Sequence, residues 1–350
     1  MLKRRYSAVV LAIVGLICLS SLGITGCRPQ ASAGPGMQLL YVSSEGTLVL
    51  ADIGDPPGAK ITFTELHHVG EGEVEAAWSP DGERIIVRHQ ETFDRLDLWI
   101  YEVNSGEATP LVQGYEAHGF GRVNWLPDDE YFVFDDGTSP ARALTLFKVS
   151  EAAPIAVLGY YAWYAWSPTG DQIAYSRERV VDPPTFYESG QSADVAIYDI
   201  GTGETTPLIE GTSEFFYKPL AWPAPDSLLV SRNRAQERPP KPEELFSYNP
   251  QDPDSTPQPL EALPRHMKKE AVKGIVPAQM QEDFMRRGQY DWSADLVHVA
   301  ISVVPPYPGD AEVWVLSADG SQAFKVAADV LRGFGPLWRP GKDQLTGGDP

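Results

Sequence analysis

The chain has 350 residues, of which 43% are hydrophobic and 22% charged, and its formal net charge at pH 7 is −20. A surface this acidic repels the phosphate backbone, which excludes nucleic acid as the main partner. The two cysteines, Cys18 and Cys27, both lie in the N-terminal segment. We therefore expect no disulfide in the domain that follows, and a core of this size does not need one.

The N-terminal segment has the organisation of a targeting sequence. A basic cluster at residues 3–5 precedes an apolar run at residues 9–19. The next motif, Ile24-Thr25-Gly26-Cys27, resembles the lipobox of bacterial lipoproteins. The resemblance implies a signal peptide at residues 1–26 and lipid attachment at the Cys27 thiol. An ordinary signal peptide and an uncleaved anchor helix are the alternatives.

Lipid attachment at Cys27 would determine the cellular location of the protein. Two or more acyl chains suffice for stable anchoring, so the resemblance implies an extracytoplasmic lipoprotein whose first partner is the lipid bilayer. Residues 27–36 contain Arg-Pro-Gln-Ala-Ser-Ala-Gly-Pro-Gly after the cysteine and predict a short flexible tether. We expect residues 37–350 to form one domain.

Six tryptophans occupy the same position in a recurring sequence motif along this domain, here called the tryptophan phrase. Successive members are separated by 41 to 70 residues, and four short strands with their turns need roughly 40–45 residues. The repeat predicts an all-β fold, a six-bladed β-propeller with four antiparallel strands in each blade. The six members are Trp78, Trp125, Trp166, Trp222, Trp292 and Trp338.

The first complete blade shows the order of its strands. An inner strand A ends at Trp78, and Ser79-Pro80-Asp81-Gly82 is typical of a type I turn. The β-branched run Ile85-Ile86-Val87 then predicts strand B. Strands C and D follow, joined by the tight turn Asn104-Ser105-Gly106-Glu107. The A–B and C–D turns share one face, here called the turn face, and the B–C and D–A loops share the opposite loop face.

The two ends of the domain predict how the ring closes. Residues 39–42 and 47–50 have the pattern of strands B and C, without a strand A before them. The chain near Trp338 has room for little more than one strand. We expect this C-terminal strand to pair with the N-terminal strand and complete the blade, which removes exposed sheet edges.

The repeat also carries a family resemblance. The Trp-Ser-Pro-Asp-Gly phrase at Trp78, the β-run after it and the Ser-Gly-Glu or Thr-Gly-Glu hairpin downstream resemble the TolB-like propeller repeat. Related repeats occur in propeller domains of the prolyl oligopeptidase family. The resemblance covers almost the whole chain after residue 37, is closest around Trp78 and Trp166, and is weakest around Trp222 and Trp292. It implies a fold and leaves the function open, because propellers support many activities.

The long insertions concentrate on the loop face. Segments 177–193, 232–244 and 305–310 are B–C loops, and 263–288 is a D–A loop predicted to hold two short helices. Insertions fixed by random drift would be expected on both faces, whereas binding residues tend to lie on loops held by a rigid scaffold. The helices are expected to pack on their own blade; capping the channel or meeting a partner is the alternative.

Aromatic residues and arginines precede the tryptophans, where the D–A loops enter strand A. If the blades align, the aromatics lie on adjacent blades around one channel mouth with arginines opposite them. Rings offer stacking surface and arginines bind anions, so a sugar, a peptide terminus or an acidic ligand would suit the site. The alternative is that the rings are ordinary inter-blade core. The candidate binding residues are Phe120, Arg122, Tyr161, Trp163, Tyr217, Arg287 and Arg332.

No sequence motif points to catalysis, a cofactor or a metal ion. The chain lacks a Gly-x-Ser-x-Gly elbow, a His-Glu-x-x-His motif and a phosphate loop. This favours a membrane-anchored binding lipoprotein whose ligand is a protein, peptide or envelope polymer. Two alternatives stay open: a lipid-anchored hydrolase or lyase acting on glycans, since paired carboxylates from different blades leave no linear motif, and a structural lipoprotein of envelope assembly.

Overall fold

The computed structural model describes residues 37–54, 57–92, 94–116, 121–135, 144–158, 163–178, 193–212, 215–234, 244–252, 256–306 and 309–340. The expected signal peptide, Cys27 and the tether lie outside these residues, as do Phe120 and Tyr161. The described chain folds into six four-stranded antiparallel sheets. The predicted all-β propeller fold is therefore confirmed.

Each sheet is one blade, and in each blade the strands follow one another from A to D. Blade 1 comprises β24 (Leu337–Trp338), β1 (Gln38–Val42), β2 (Thr47–Asp52) and β3 (Thr62–His68). Blade 2 comprises β4 (Glu73–Trp78), β5 (Arg84–Thr92), β6 (Arg95–Glu102) and β7 (Glu107–Glu116). Blade 3 comprises β8 (Val123–Trp125), β9 (Tyr131–Asp135), β10 (Leu144–Lys148) and β11 (Ala153–Val157).

The remaining blades repeat this order, and a helical insertion lies between them. Blade 4 comprises β12 (Tyr164–Trp166), β13 (Gln172–Glu178), β14 (Ala193–Asp199) and β15 (Thr205–Ile209). Blade 5 comprises β16 (Phe215–Ala224), β17 (Ser227–Arg234), β18 (Glu244–Tyr248) and β19 (Gln258–Leu260). Blade 6 comprises β20 (Tyr290–Trp292), β21 (His298–Val303), β22 (Ala311–Ser317) and β23 (Ala323–Val330). Between blades 5 and 6 lie α1 (Lys269–Lys273) and α2 (Gln281–Arg287).

The two ends of the domain share blade 1, as the sequence predicts. Strand β24 pairs antiparallel with β1, with Leu39 opposite Trp338 and Leu40 opposite Leu337. Just beyond the pair, the Arg339 backbone N–H donates to the Gln38 carbonyl at 2.9 Å. The strand that completes blade 1 therefore comes from the C-terminal end of the domain.

Apolar side chains alternate between the two faces of each blade, as the two-residue period of a strand requires. In blade 2, Ile85 and Val87 pack against blade 1, whereas Ile86 packs against blade 3. Apolar clusters of this kind join blades 1 and 2, 2 and 3, 3 and 4, 4 and 5, and 6 and 1. The core of the molecule is thus a series of layers between successive blades.

Three of the repeat tryptophans hydrogen-bond to the inner strand of the preceding blade. The indole Nε1 of Trp78 donates to the Leu337 carbonyl at 3.3 Å, and that of Trp125 donates to the Ala77 carbonyl at 3.1 Å. Trp338 does the same to the Asp291 carbonyl at 3.1 Å. In each case the acceptor directly precedes the tryptophan of the neighbouring blade, so the repeat phrase connects the blades.

Blade 6 differs on the face turned away from blade 1. There Val299 and Ile301 pack against the helical insertion, in a cluster that includes the fully buried Val272 and Phe284. Ala300, on the other face of the same strand, belongs to the layer with blade 1. Among the described residues, no apolar cluster joins blade 5 directly to blade 6. We refer to this region as the 5/6 seam.

The repeat tryptophan of blade 6 also differs at this seam. The indole Nε1 of Trp292 is buried and, within the described part of the chain, has no hydrogen-bond partner. Trp222 in blade 5 donates to the Pro225 carbonyl of its own blade, at 3.5 Å. The helices pack on blade 6. They cover the face of blade 6 that, in the other blades, packs against the preceding blade.

No helix in the described ranges is long and apolar enough to cross a membrane.

Candidate functional site

The loop face carries six equivalent positions at the start of the inner strands. Each lies three residues before the repeat tryptophan, except in blade 5, where irregular pairing in β16 near Pro219 makes the offset four. We call this set the mouth ring. In blade order from 1 to 6 it comprises Gly335, Glu75, Arg122, Trp163, Lys218 and Gln289.

A second set of polar residues lies opposite the mouth ring on the strands B. Glu75 pairs with Arg88 and Lys218 with Ser231, while the backbone N–H of Asp135 donates to the Arg122 carbonyl at 2.9 Å. All members of this second set are at most 4% exposed. They are Arg88, Asp135, Ser176, Ser231 and Ser302. These buried polar groups need hydrogen-bond partners. The mouth ring therefore borders a buried polar layer, unlike the apolar layers between successive blades.

Arg122 reaches the mouth because a glycine precedes it. An added Cβ on Gly121 would lie 2.0 Å from the Asp135 carbonyl oxygen. Only glycine allows the chain to pass so close to β9. The Arg122 side chain is exposed, so its forked guanidinium is available on the loop face.

Glu75 is a partly buried carboxyl group between blades 2 and 3. Burial raises its pKa to about 7, while the charges of Arg122 and Arg88 act in the opposite direction. Arg88 is fully buried and donates from Nη2 to Gln90 Oε1 at 2.6 Å. Because its pKa is close to neutral pH, Glu75 exists in both protonation states there.

On the far side of Arg122, blades 3 and 4 share a tyrosine. The Asn124 side-chain amide donates to the Tyr164 hydroxyl oxygen. Burial raises the pKa of Tyr164 to about 12, against the opposing effects of Asn124 and Arg122. Tyr164 is therefore neutral at physiological pH, and Arg122 lies in the electrostatic field of groups from both neighbouring blades.

Blades 4 and 5 contribute an aromatic cluster with a cation. The rings of Trp163 and Phe216 are stacked with centroids 6.1 Å apart. The Lys218 ammonium lies 4.4 Å from the Trp163 centroid and 5.3 Å from the Phe216 centroid, within the range of a cation–π interaction. Trp163 remains 36% exposed. The cluster thus offers an apolar edge beside a positive charge.

The other predicted binding residues have different surroundings. The Tyr217 ring packs in the layer between blades 4 and 5, and its hydroxyl hydrogen-bonds to Arg232. Arg287 is exposed at the end of α2. Arg332 donates to the carbonyls of Pro305, at 3.0 Å, and Gly309, which holds the B–C loop of blade 6. The structure therefore places Arg122 and Trp163 on adjacent blades of the mouth ring and gives Tyr217 and Arg332 structural contacts.

Sequence reasoning did not identify Lys218 and Gln289 as mouth residues. A fixed offset of three from the tryptophan finds Gln289, and this signal was present in the sequence. Lys218 lies one residue further away because of the irregular pairing in β16. Within the described part of the chain, no three His, Cys, Asp or Glu side chains come together as metal ligands would.

The fold and this site define the class of protein: a six-bladed β-propeller with a chemically mixed mouth on its loop face. No protein-family model matches the chain. Among curated proteins, a component of eukaryotic translation initiation factor 3 from Bombyx mori is 25% identical over 96 residues, which are 27% of this chain and 14% of that protein.

Similar solved structures include propellers from bacteria and archaea. TolB from Acinetobacter baumannii is 13% identical with a TM-score of 0.47, covering 87% of this chain and 66% of that chain. A putative TolB from Agrobacterium tumefaciens is 15% identical with a TM-score of 0.41, covering 88% and 95%. The propeller domain of the Trilobed protease from Pyrococcus furiosus is 12% identical with a TM-score of 0.43, covering 83% and 80%. The chain is similar to these TolB-like and related propellers, and its own six four-stranded sheets establish the propeller fold.

Proposed function

We propose that this protein is a lipid-anchored, extracytoplasmic binding protein that holds a peptide or protein segment at the mouth ring. The observation that carries the proposal is the contrast between two sets of equivalent positions. The repeat position is tryptophan in all six blades, whereas the mouth ring has a different residue type in every blade. A purely structural position repeats from blade to blade, while an asymmetric ligand requires different contacts around one site.

The point where the chain enters the propeller supports this arrangement. Met37 and Gln38 lie on the turn face, where the Met37 carbonyl accepts from the Ile53 backbone N–H at 2.8 Å. A tether from an acylated Cys27 would therefore join the propeller on the face opposite the mouth. The ten residue-to-residue steps from Cys27 to Met37 span at most about 35 Å when fully extended. Such an anchor would keep the propeller near a bilayer.

The anchor is tested by metabolic labelling with an alkyne-tagged fatty acid in a bacterial host. We expect the wild-type protein to incorporate the label and to fractionate with membranes. The C27S variant should lose both properties, while C18S, which changes the other cysteine, should keep them. Labelling of C27S to the wild-type level would contradict lipidation at Cys27.

The mouth is tested by photo-crosslinking in living cells. A benzophenone amino acid at Gln289 is placed in the mouth ring, and one at Ser105 is placed in an exposed C–D turn on the turn face. We expect the Gln289 probe to give a discrete crosslinked protein that the Ser105 probe does not give. Equal crosslinking from both positions would contradict a ligand site at the mouth.

Glycan hydrolysis or cleavage has weaker support at this site. A sugar ring stacks flat on an open aromatic face, whereas Trp163 is stacked with Phe216 and has an ammonium 4.4 Å from its centroid. Its remaining exposed edge fits an apolar side chain better.

A structural role in envelope assembly is tested at the helical insertion by changing the exposed Glu282 and Arg287. Deleting the insertion would uncover the buried face of blade 6.

A further inference from the structure

We infer that the mouth ring recognises a carboxylate presented beside an aromatic or other bulky apolar group of a peptide, with Arg122 binding the carboxylate and Trp163 contacting the apolar group. This inference rests on the proposed function and narrows its ligand. The carboxylate is either the C-terminus of the peptide or an acidic side chain next to the apolar one.

Arg122 has the position and the chemistry for the carboxylate. Its backbone is fixed by the Asp135 N–H bond, and the approach of Gly121 to β9 brings its side chain to the loop face. A guanidinium binds a carboxylate through two parallel N–H···O bonds, a geometry that lysine cannot reproduce. The whole chain carries a formal charge of −20, so the exposed guanidinium of Arg122 is a local positive charge to which an anion can bind.

Trp163 lies between the two cations in the mouth ring. Arg122 and Lys218 occupy the equivalent positions of the blades on either side of it. The stacked Phe216 and the Lys218 ammonium support the Trp163 ring, leaving it 36% exposed. A group next to a carboxylate on Arg122 would then face the exposed part of the Trp163 ring on the adjacent blade.

Glu75 makes the same site sensitive to pH. Its carboxyl group lies in the field of Arg88 from β5, Arg122 before β8 and Glu73 on its own strand. Tyr164 of β12 lies in the field of Arg122, of Asp135 on β9 and of Glu75 itself. A ligand carboxylate on Arg122 adds a negative charge beside Glu75, which favours its protonated form. Binding then takes up a proton, so affinity increases as the pH falls from 8 to 6.

The experiment uses the full-length protein in detergent and three short peptides, measured by isothermal titration calorimetry. The probes are acetyl-Ala-Ala-Phe with a free carboxylate, the same peptide with a terminal amide, and acetyl-Ala-Asp-Phe amide. We expect the free acid to bind at least about tenfold more tightly than its amide, the size of one charge-assisted contact. Tight binding of the Asp-containing amide would assign the carboxylate to a side chain instead of a C-terminus.

Matched variants separate the site from general charge effects. R122Q should abolish the preference for the carboxylate-bearing probe, and R122K should restore only part of it. R95Q, which removes an exposed arginine on blade 2, should leave all affinities unchanged. E75Q should remove the increase in affinity between pH 8 and pH 6, whereas E73Q, at an exposed position, should keep it. Equal melting temperatures of the arginine variants verify that folding is not the cause.

Three results would overturn the inference: equal binding of all three probes, no binding of any, or equal losses for R95Q and R122Q. The proposed function fails independently. If the Gln289 probe crosslinks a partner in cells and the carboxylate peptides do not bind, the mouth is a binding site for another ligand. If Gln289 gives no specific crosslink, the binding function itself is contradicted.

Discussion

At the scale of single residues, Glu75 has the clearest energetic consequence. Its pKa is about 7 in the folded protein and 4.5 in the absence of structure. The folded state thus binds this proton more tightly, and its stability contribution is present below pH 4.5 and is lost as the pH rises through 7. We expect E75Q to gain stability relative to wild type between pH 5 and pH 8, by up to a few kcal/mol.

Urea unfolding of wild type, E75Q and E73Q at both pH values checks this prediction. The difference between wild type and each variant isolates one residue from the many other carboxylates of the chain. E73Q should show a smaller pH-dependent gain because Glu73 is exposed. If the free energies of unfolding of E75Q and wild type differ by the same amount across this pH range, the fold does not raise the pKa of Glu75.

The repeat tryptophans give a second prediction at this scale. Trp125 donates its indole N–H to the Ala77 carbonyl, while the buried Trp292 N–H has no partner in the described chain. Both changes, W125F and W292F, remove similar apolar volume, but only the first breaks a hydrogen bond. We expect W125F to lower the free energy of unfolding by about 1 kcal/mol more than W292F.

Chemical denaturation of the two phenylalanine variants side by side provides this test, and W78F is a second member of the hydrogen-bonded class. If W292F is as destabilising as both others, the inter-blade indole bonds contribute nothing measurable.

At the scale of elements, the helical insertion has become part of the propeller core. Phe284 of α2 is fully buried against β21 of blade 6. F284A would remove a large ring from a site that strands on one side and helices on the other hold fixed. We expect it to lower the free energy of unfolding by about 3–5 kcal/mol. Thermal unfolding followed by circular dichroism measures this, with the exposed R287A as the control that should change little.

Elements also show what the sequence could and could not predict. The period of the tryptophan phrase predicted all six blades, because strand A and the A–B turn depend on local turn chemistry. The sequence of the D–A loop at 263–288 predicted two short helices, and the structure has α1 and α2 there. Their place on the blade 6 face opposite Ala300 was not predictable, because it depends on packing between segments distant in the chain.

The mouth shows the same division. Arg122 and Trp163 were identifiable by their distance from a tryptophan, since strand pairing fixes that distance. Lys218 was missed because irregular pairing in β16 changes the register. Tyr217 had the composition of a mouth residue but packs between blades 4 and 5. Alternation along a strand decides which of two neighbours enters the core, and a one-residue change reverses it.

At the scale of the whole molecule, the ring depends on a short closing strand supported by one arginine. Arg339 donates from Nε to the Gly82 carbonyl at 2.7 Å and from Nη1 to Gln38 Oε1 at 2.6 Å. Its guanidinium also lies 5.5 Å from the Trp78 ring centroid. It therefore connects the C-terminal strand to β1 and to blade 2.

Loss of these contacts should weaken the closure of the ring. We expect R339A to reduce the free energy of unfolding by about 2–4 kcal/mol, from two hydrogen bonds to a charged group and one cation–π contact. Limited proteolysis should then cleave the C-terminal end of the domain faster than in wild type. Unchanged proteolysis and unfolding in R339A would show that the two-residue strand β24 closes the ring without help.

The shared blade also determines when, during synthesis of the chain, the ring can close. Residue 39 pairs with residue 338, so β1 leaves the ribosome roughly 300 residues before its partner, an interval of about 15–60 s at ordinary rates of translation. During that time its edge has no strand to pair with and is open to wrong partners. The ring is completed only when nearly the entire domain has been made.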